Sequence, residues 1–235
     1  MRRFYRGIVI KNFLNNSYRI ITGSNILIKL MKKEYKISSN KFIYNNHPTP
    51  DLFRKFKNQS KKIKNLNNFF LYPANFWQHK NHLNLFEGFK RFNKKNGNKY
   101  KLVLVGDIKD THHFNKLKKK YKSDIEKNFK ILKFVKISYL IRLYDNSLAI
   151  IYSSFAGPEN LPPLEAMARK KNIICSNYPG AKEQLKNIPI YFNPTSPLSI
   201  DFALNKFIKS KIKKPFFVRP TTNYIDRVFN KIYYD

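Results

Sequence analysis

The sequence has one cysteine, Cys175, so no internal disulfide can form and the chain suits a reducing compartment. It has no apolar run long enough to span a bilayer, and the opening stretch MRRFYRGIVIKNFLNN has too short an apolar core for a secretory signal. These shortages point to a cytoplasmic protein, with room for peripheral attachment at the inner face of a membrane. Acidic residues are scarce: 14 Asp and Glu stand against 47 Lys and Arg, a formal charge of +33. That excess calls for an anionic partner, whether nucleic acid, an anionic membrane surface or a phosphorylated small molecule. A coding sequence biased toward AT, which enriches Lys, Asn, Ile, Phe and Tyr, accounts for part of the charge equally well. The basic residues are scattered through helical segments with no nucleic-acid-binding motif among them, which disfavours nucleic acid. His79 and His82 have no cysteine or carboxylate nearby to complete a ligand set, so no metal is expected. Ser153-Ser154 lacks the glycine pattern of a nucleophile elbow, which argues against a hydrolase.

What is present is a foldable core. Hydrophobic residues make up 42% and aromatics 16% of 235 residues, too rich for disorder and enough for one large domain or two small ones. From residue 68 onward, apolar runs alternate with helical periodicity. NFFLYPA, YKLVLVGD, FKILKFV, LAIIYSS, NIICS and IPIYF read as strands buried on both faces. Between them lie helical segments, including Leu83 to Phe92 and a Lys-rich stretch from Thr111 to about Lys127. SPLSIDFALNKFIKS, with Pro197 near its start, reads as a last helix. The fold class that follows is α/β, a Rossmann-like doubly wound parallel sheet over residues 68–208. Residues 1–67 hold one βαβ unit (YRIITGS, NILIKLMKKEY, NKFIYN) and a basic connector, too little for an independent domain. Residues 209–235 read as a basic carboxyl-terminal helix or tail.

In an open parallel sheet, ligands sit beyond the carboxyl ends of the strands. Unusual residues cluster there in Tyr72 to His82, at Gly106-Asp107, and in Ser153 to Glu165. Gly157 and Pro158 end a strand, and Pro162-Pro163 suit a first helical turn, where a missing N–H costs nothing. The remaining amides of that turn form an anion site. Glu165, about one turn in, either complements the helix dipole or accepts from two vicinal hydroxyls of a ribose. Lys80, at the start of a helix after a strand, is placed to neutralise a diphosphate. Cys175, within a strand, reads as packed rather than reactive.

YPANFWQHKNHLNLFEGF, LVLVGD, SYLIRLYDNSLAIIYSSFAGPENLPPLEAMA and NIICSNYPGAKEQLKNIPIYFNPTSP appear in that order. Together they resemble the carboxyl-terminal half of glycosyltransferase family 4, the group 1 glycosyltransferases of GT-B fold. The weaker extension over the first 67 residues resembles a remnant of that family's amino-terminal domain. The resemblance implies retaining, metal-independent transfer of a sugar from a nucleotide-diphosphate donor to a glycan or lipid-linked acceptor. Many relatives build lipopolysaccharide or other surface polysaccharides. No cofactor is implied, the nucleotide-sugar being a substrate. By position, Lys80 resembles the lysine that offsets the diphosphate charge, and Glu165 the second of two spaced glutamates, which holds the ribose. Gly106 resembles the glycine under the nucleotide, and Leu161 and Pro162 the phosphate-facing helix start. Gly157 stands where the family commonly has its first glutamate. Glu159 lies two residues later, and with Asn160 is assigned to the donor side, Glu159 as a catalytic residue. The family's arginine beside the lysine has no charged counterpart; Asn75 or Gln78 stands there.

Most of the family's amino-terminal half has no match. The resemblance therefore implies a truncated enzyme, or one completed by a separate chain. A non-catalytic nucleotide-sugar-binding module and a basic nucleic-acid-binding protein are the alternatives.

Overall fold

The computed structural model describes residues 2–56, 62–157, 159–210 and 224–233. Its contacts divide the chain into two units, Met1–Pro48 with Arg219–Asp235, and Thr49–Val218.

The first unit contains the expected βαβ: β1 (Ile20–Thr22), a helix Asn25–Tyr35 and β2 (Phe42–Tyr44), the strands pairing in parallel. Ser24 caps the helix by accepting from the Leu27 N–H at 3.2 Å. Two elements extend it. α1 (Arg2–Asn16) precedes the βαβ, which makes Asn25–Tyr35 α2, and the carboxyl-terminal helix Tyr224–Tyr233 joins the same unit. There Asn45 Nδ2 donates to the Tyr224 carbonyl at 3.1 Å. A small cluster of Leu14, Ile20 and Ile37 forms the apolar centre, while Ile8, Val9 and Phe13 of α1 stay exposed.

The second unit opens with α3 (Asp51–Lys55) and runs β3 (Phe69–Pro73), α4 (His82–Lys95), β4 (Lys101–Val105), α5 (Thr111–Lys120), α6 (Lys122–Lys127) and β5 (Phe129–Leu132). It continues with α7 (Ile137–Asn146), β6 (Ala149–Tyr152), α8 (Leu161–Ala168), β7 (Asn172–Ser176), α9 (Pro179–Leu185), β8 (Ile190–Phe192) and α10 (Pro197–Lys209). The six strands are all parallel in the order β5-β4-β3-β6-β7-β8. Numbered from β3, that is 3-2-1-4-5-6, the doubly wound order whose direction reverses between β3 and β6. All five residues of β3 are buried, as a central strand covered on both faces requires.

Two expectations change. The helix foreseen from Thr111 to Lys127 breaks at Tyr121, which turns inward, packs edge-on against Phe86 at 5.4 Å and donates to Glu87 Oε2 at 3.2 Å. Burial of that ring outweighs the helical propensity of its lysine neighbours. The basic connector also contributes to the core: Ile63 and Leu66 are buried with the sheet, as is Phe53 of α3, while residues 57–61 lie outside the described set. Pro158 and most of the tail at 211–223 are likewise outside it. No described helix is long and apolar enough to cross a membrane.

Candidate active site

The site is built where β3 and β6 part. After β3 the chain enters a loop braced by Asn75, whose side-chain oxygen accepts from the Asp107 N–H at 2.8 Å. Gln78, on the same loop, donates to Asp110 Oδ2 at 3.3 Å. Gly106 follows β4 directly, and a Cβ there would lie 2.4 Å from the Ala74 carbonyl oxygen. The glycine thus serves a close approach of two backbones, with or without a ligand.

A 3-10 turn, Gln78–Lys80, then leads into α4 through Asn81 in the left-handed conformation. The Lys80 carbonyl accepts from Tyr72 Oη at 2.6 Å and from Ser153 Oγ at 3.1 Å, so both central strands pin this backbone. Its ammonium donates to Tyr152 Oη at 2.9 Å. Among the described residues no carboxylate pairs with Lys80, and burial lowers its pKa. A partly buried cation whose partner is a neutral phenol leaves its charge available to an anion.

On the other side, Asn160 precedes α8 and is held at every polar group. Its side-chain oxygen accepts from Tyr152 Oη, and its Nδ2 donates to Tyr178 Oη at 2.6 Å. Its backbone N–H and carbonyl form a pair of bonds with the buried Gln184 side chain at 3.1 and 2.8 Å. Because Asn160 is held this way, Gly157 has no room for a side chain: a Cβ would meet Asn160 Nδ2 at 2.6 Å, with the backbone at φ +152°. Glu159 sits one residue before Asn160 and is partly buried. α8 begins at Leu161, so Pro162 and Pro163 occupy its second and third positions. Only Leu161 among those three carries an amide hydrogen, a sparser anion cradle than the sequence reading assumed.

Glu165 lies on α8, partly buried, and accepts from Tyr144 Oη at 2.6 Å. Burial raises its carboxyl above the ordinary range, and the Tyr144 bond pulls it partway back. Lys80 is bonded to Tyr152, and Glu165 lies near enough to act on the same phenol. Burial, with Cys175 and Glu165 nearby, pushes that phenol up, while Lys80 is bonded to its oxygen. Lys80 and Asn160 thus share the Tyr152 hydroxyl, Leu161 and Glu165 follow on α8, and Gly157 and Glu159 lie in the loop before it. Gly106 and Asn75 support the neighbouring β3 and β4 ends. His79 and His82 do not converge: His82 is fully buried, stacked on Phe76 at 4.3 Å. No group of three or more His, Cys, Asp or Glu able to hold a metal occurs among the described residues.

The profile of the family described as Glycosyl transferases group 1 matches residues 53–216. The chain belongs to this family. The O-antigen chain mannosyltransferase RfbU of Salmonella typhimurium is 26% identical over 231 residues, covering 97% of this chain and 60% of that protein. A glycosyltransferase from Rickettsia africae superposes with a TM-score of 0.72 at 20% identity, over 86% of this chain and 57% of that one. Anabaena HepE, solved in complex with UDP, gives 0.76 at 16% identity, over 89% and 59%. These structures share the fold, that of the carboxyl-terminal Rossmann-like domain of GT-B glycosyltransferases. The chain spans 57–60% of the length of these three proteins.

Four side chains of the site were not singled out in the sequence, Tyr144, Tyr152, Tyr178 and Gln184, and Tyr72 entered only as the first residue of the segment Tyr72 to His82. Each reads there as ordinary core or surface. The one available signal is a tyrosine inside a strand or helix face that otherwise takes phenylalanine or leucine, since a buried hydroxyl needs a partner.

Proposed function

We propose that these residues form the donor site of a retaining, metal-independent glycosyltransferase that uses a nucleotide-diphosphate sugar in surface polysaccharide synthesis. The observation that carries the reading is Lys80, a partly buried ammonium without a carboxylate partner among the described residues, bonded to Tyr152 at the switch point of the sheet. As the bond from the anomeric carbon to the diphosphate oxygen breaks, negative charge grows on the leaving group. A preplaced cation stabilises that charge more in the transition state than in the ground state. Lys80 supplies the cation, and the Leu161 amide with the α8 dipole adds to it. Glu165, oriented by Tyr144, accepts from the ribose hydroxyls, and Glu159 stands toward the sugar. The relatives named for O-antigen mannosyl transfer and for a UDP complex support the reaction class and the donor class respectively. A glycan or lipid-linked acceptor is the second substrate of this reading.

Calorimetric titration with UDP, GDP and ADP tests the donor site. At least one should bind, and Lys80→Ala should weaken it about tenfold to a hundredfold, the loss of one charge-assisted bond of about 1.5–3 kcal/mol. Equal affinity in wild type and variant would refute the assignment. Binding of the intact nucleotide-sugar with neither hydrolysis nor transfer would support the non-catalytic alternative.

A further inference from the structure

We propose that Tyr152 is a positioning residue, whose hydroxyl aims the Lys80 ammonium at the space before α8. The inference rests on the donor-site reading above and adds to it the group that sets the lysine's direction.

Direction follows from which atoms can donate. An ammonium has only donors, so at 2.9 Å the Tyr152 oxygen must accept from Lys80 Nζ. The phenol's single proton is then left for Asn160 Oδ1, and the Asn160 amide nitrogen is left for Tyr178 Oη at 2.6 Å. This chain, Lys80–Tyr152–Asn160–Tyr178, has one consistent donor order, and it ties the loop after β3 to the residue that opens α8. Tyr152 itself cannot move: it is 1% exposed, at the end of β6, with Tyr72 edge-on at 6.0 Å. The same Tyr72 holds the Lys80 carbonyl, so both ends of the lysine are fixed by neighbouring rings.

A phenylalanine at 152 would fill the space and keep the ring 5.3 Å from Nζ, but could not accept the bond. A carboxylate would accept it and cancel the charge. Tyrosine is the side chain that directs the cation while leaving its charge unspent, because burial keeps the phenol protonated.

The test is a double-mutant cycle on Lys80 and Tyr152, read by calorimetric affinity for UDP, GDP and ADP and for the corresponding nucleoside monophosphates. In the Lys80 background, Tyr152→Phe should weaken diphosphate binding roughly tenfold, the scale of one hydrogen bond to a charged group. In the Lys80→Ala background it should change affinity less than twofold, because the group it positions is gone. Monophosphate affinity should move less than diphosphate affinity. Equal losses in both backgrounds, or no loss in either, would overturn the role of Tyr152 while leaving the donor site standing. Failure of Lys80→Ala to affect diphosphate binding would overturn the donor reading itself. Should Tyr152→Phe fail to fold, Asn160→Ala serves as the second arm. It leaves the hydroxyl proton without its acceptor, free to rotate about the C–O bond toward Nζ and spoil the accepting geometry while the ring stays in place, and must show the same dependence on Lys80.

Discussion

The hydroxyl of Tyr144 donates to Glu165 Oε2 at 2.6 Å, from α7 to α8, with the Tyr144 ring seated edge-on against Phe53 at 5.3 Å. Glu165 nonetheless keeps a raised pKa, chiefly from burial. For a carboxyl whose folded pKa is raised, stability is fully present below its ordinary value and is lost as pH rises through the folded pKa. Glu165→Gln removes that loss. Its urea midpoint should exceed that of wild type by a margin that grows between pH 4.5 and 7.5, while diphosphate affinity falls. A margin independent of pH would contradict the burial of this carboxylate.

Acid stability should be governed in large part by His82. Burial, aided by the charges of His113 and Lys80, depresses its pKa to about 3, against an ordinary value of 6.5. Below pH 6.5 the unfolded chain takes up a proton that the folded one refuses, so stability falls as pH drops toward 3. The slope approaches about 1.4 kcal/mol per pH unit. Between pH 7 and pH 4.5 this one residue contributes a loss of about 2–3 kcal/mol. His82→Gln should flatten the urea midpoint across that interval; a variant with the wild-type slope would show that His82 is not the group responsible.

Arg169 makes a two-pronged ion pair with Asp145, both bonds 2.7 Å, with side chains only 7% and 9% exposed. Its remaining nitrogen donates to the Phe53 and Phe56 carbonyls at 3.0 and 2.9 Å, fastening α3 beside the helix that bears Glu165. Arg169→Met strands a buried carboxylate and should cost about 3–5 kcal/mol in equilibrium unfolding. Arg169→Lys keeps the charge but not the fork, and should also be destabilised. A loss below about 1 kcal/mol for both, the range of an exposed pair, would mean the ion pair is solvated.

Gly106→Ala should destabilise by about 1–3 kcal/mol, since the new methyl meets backbone atoms of Ala74 and Asn75, which directly follow β3. The same displacement disturbs the Asn75–Asp107 bond at the rim of the site. Diphosphate affinity should therefore drop together with the unfolding midpoint. A stable variant with unchanged affinity would refute the close approach.

The sheet was readable because parallel strands covered on both faces are written as uninterrupted apolar runs, and β3, β4, β6 and β7 all are. Gly157, Pro162 and Pro163 marked the loop and helix start through backbone chemistry that is local in sequence. α1 was not foreseen: Ile8, Val9 and Phe13 remain exposed, so its apolar residues do not mark a buried face. Packing of Ile63 and Leu66 was hidden inside a basic stretch that reads as solvated. The tyrosine network escaped for another reason. Lys80 and Tyr152 stand 72 residues apart, and Tyr144 and Glu165 stand 21 apart, so only the folded sheet makes them partners.

If the donor site is as proposed, the two prolines in the first turn of α8 bear on donor choice. A full set of backbone amides reads the shape of a bound anion, since each donor is fixed in direction. On the donor-site reading, with those donors reduced, most of the grip would pass to the Lys80 ammonium, a point charge that senses charge more than shape. On that reading, selectivity among donors would be set where the base and the hexose lie, and exchanging one sugar for another would leave the phosphate anchor unchanged.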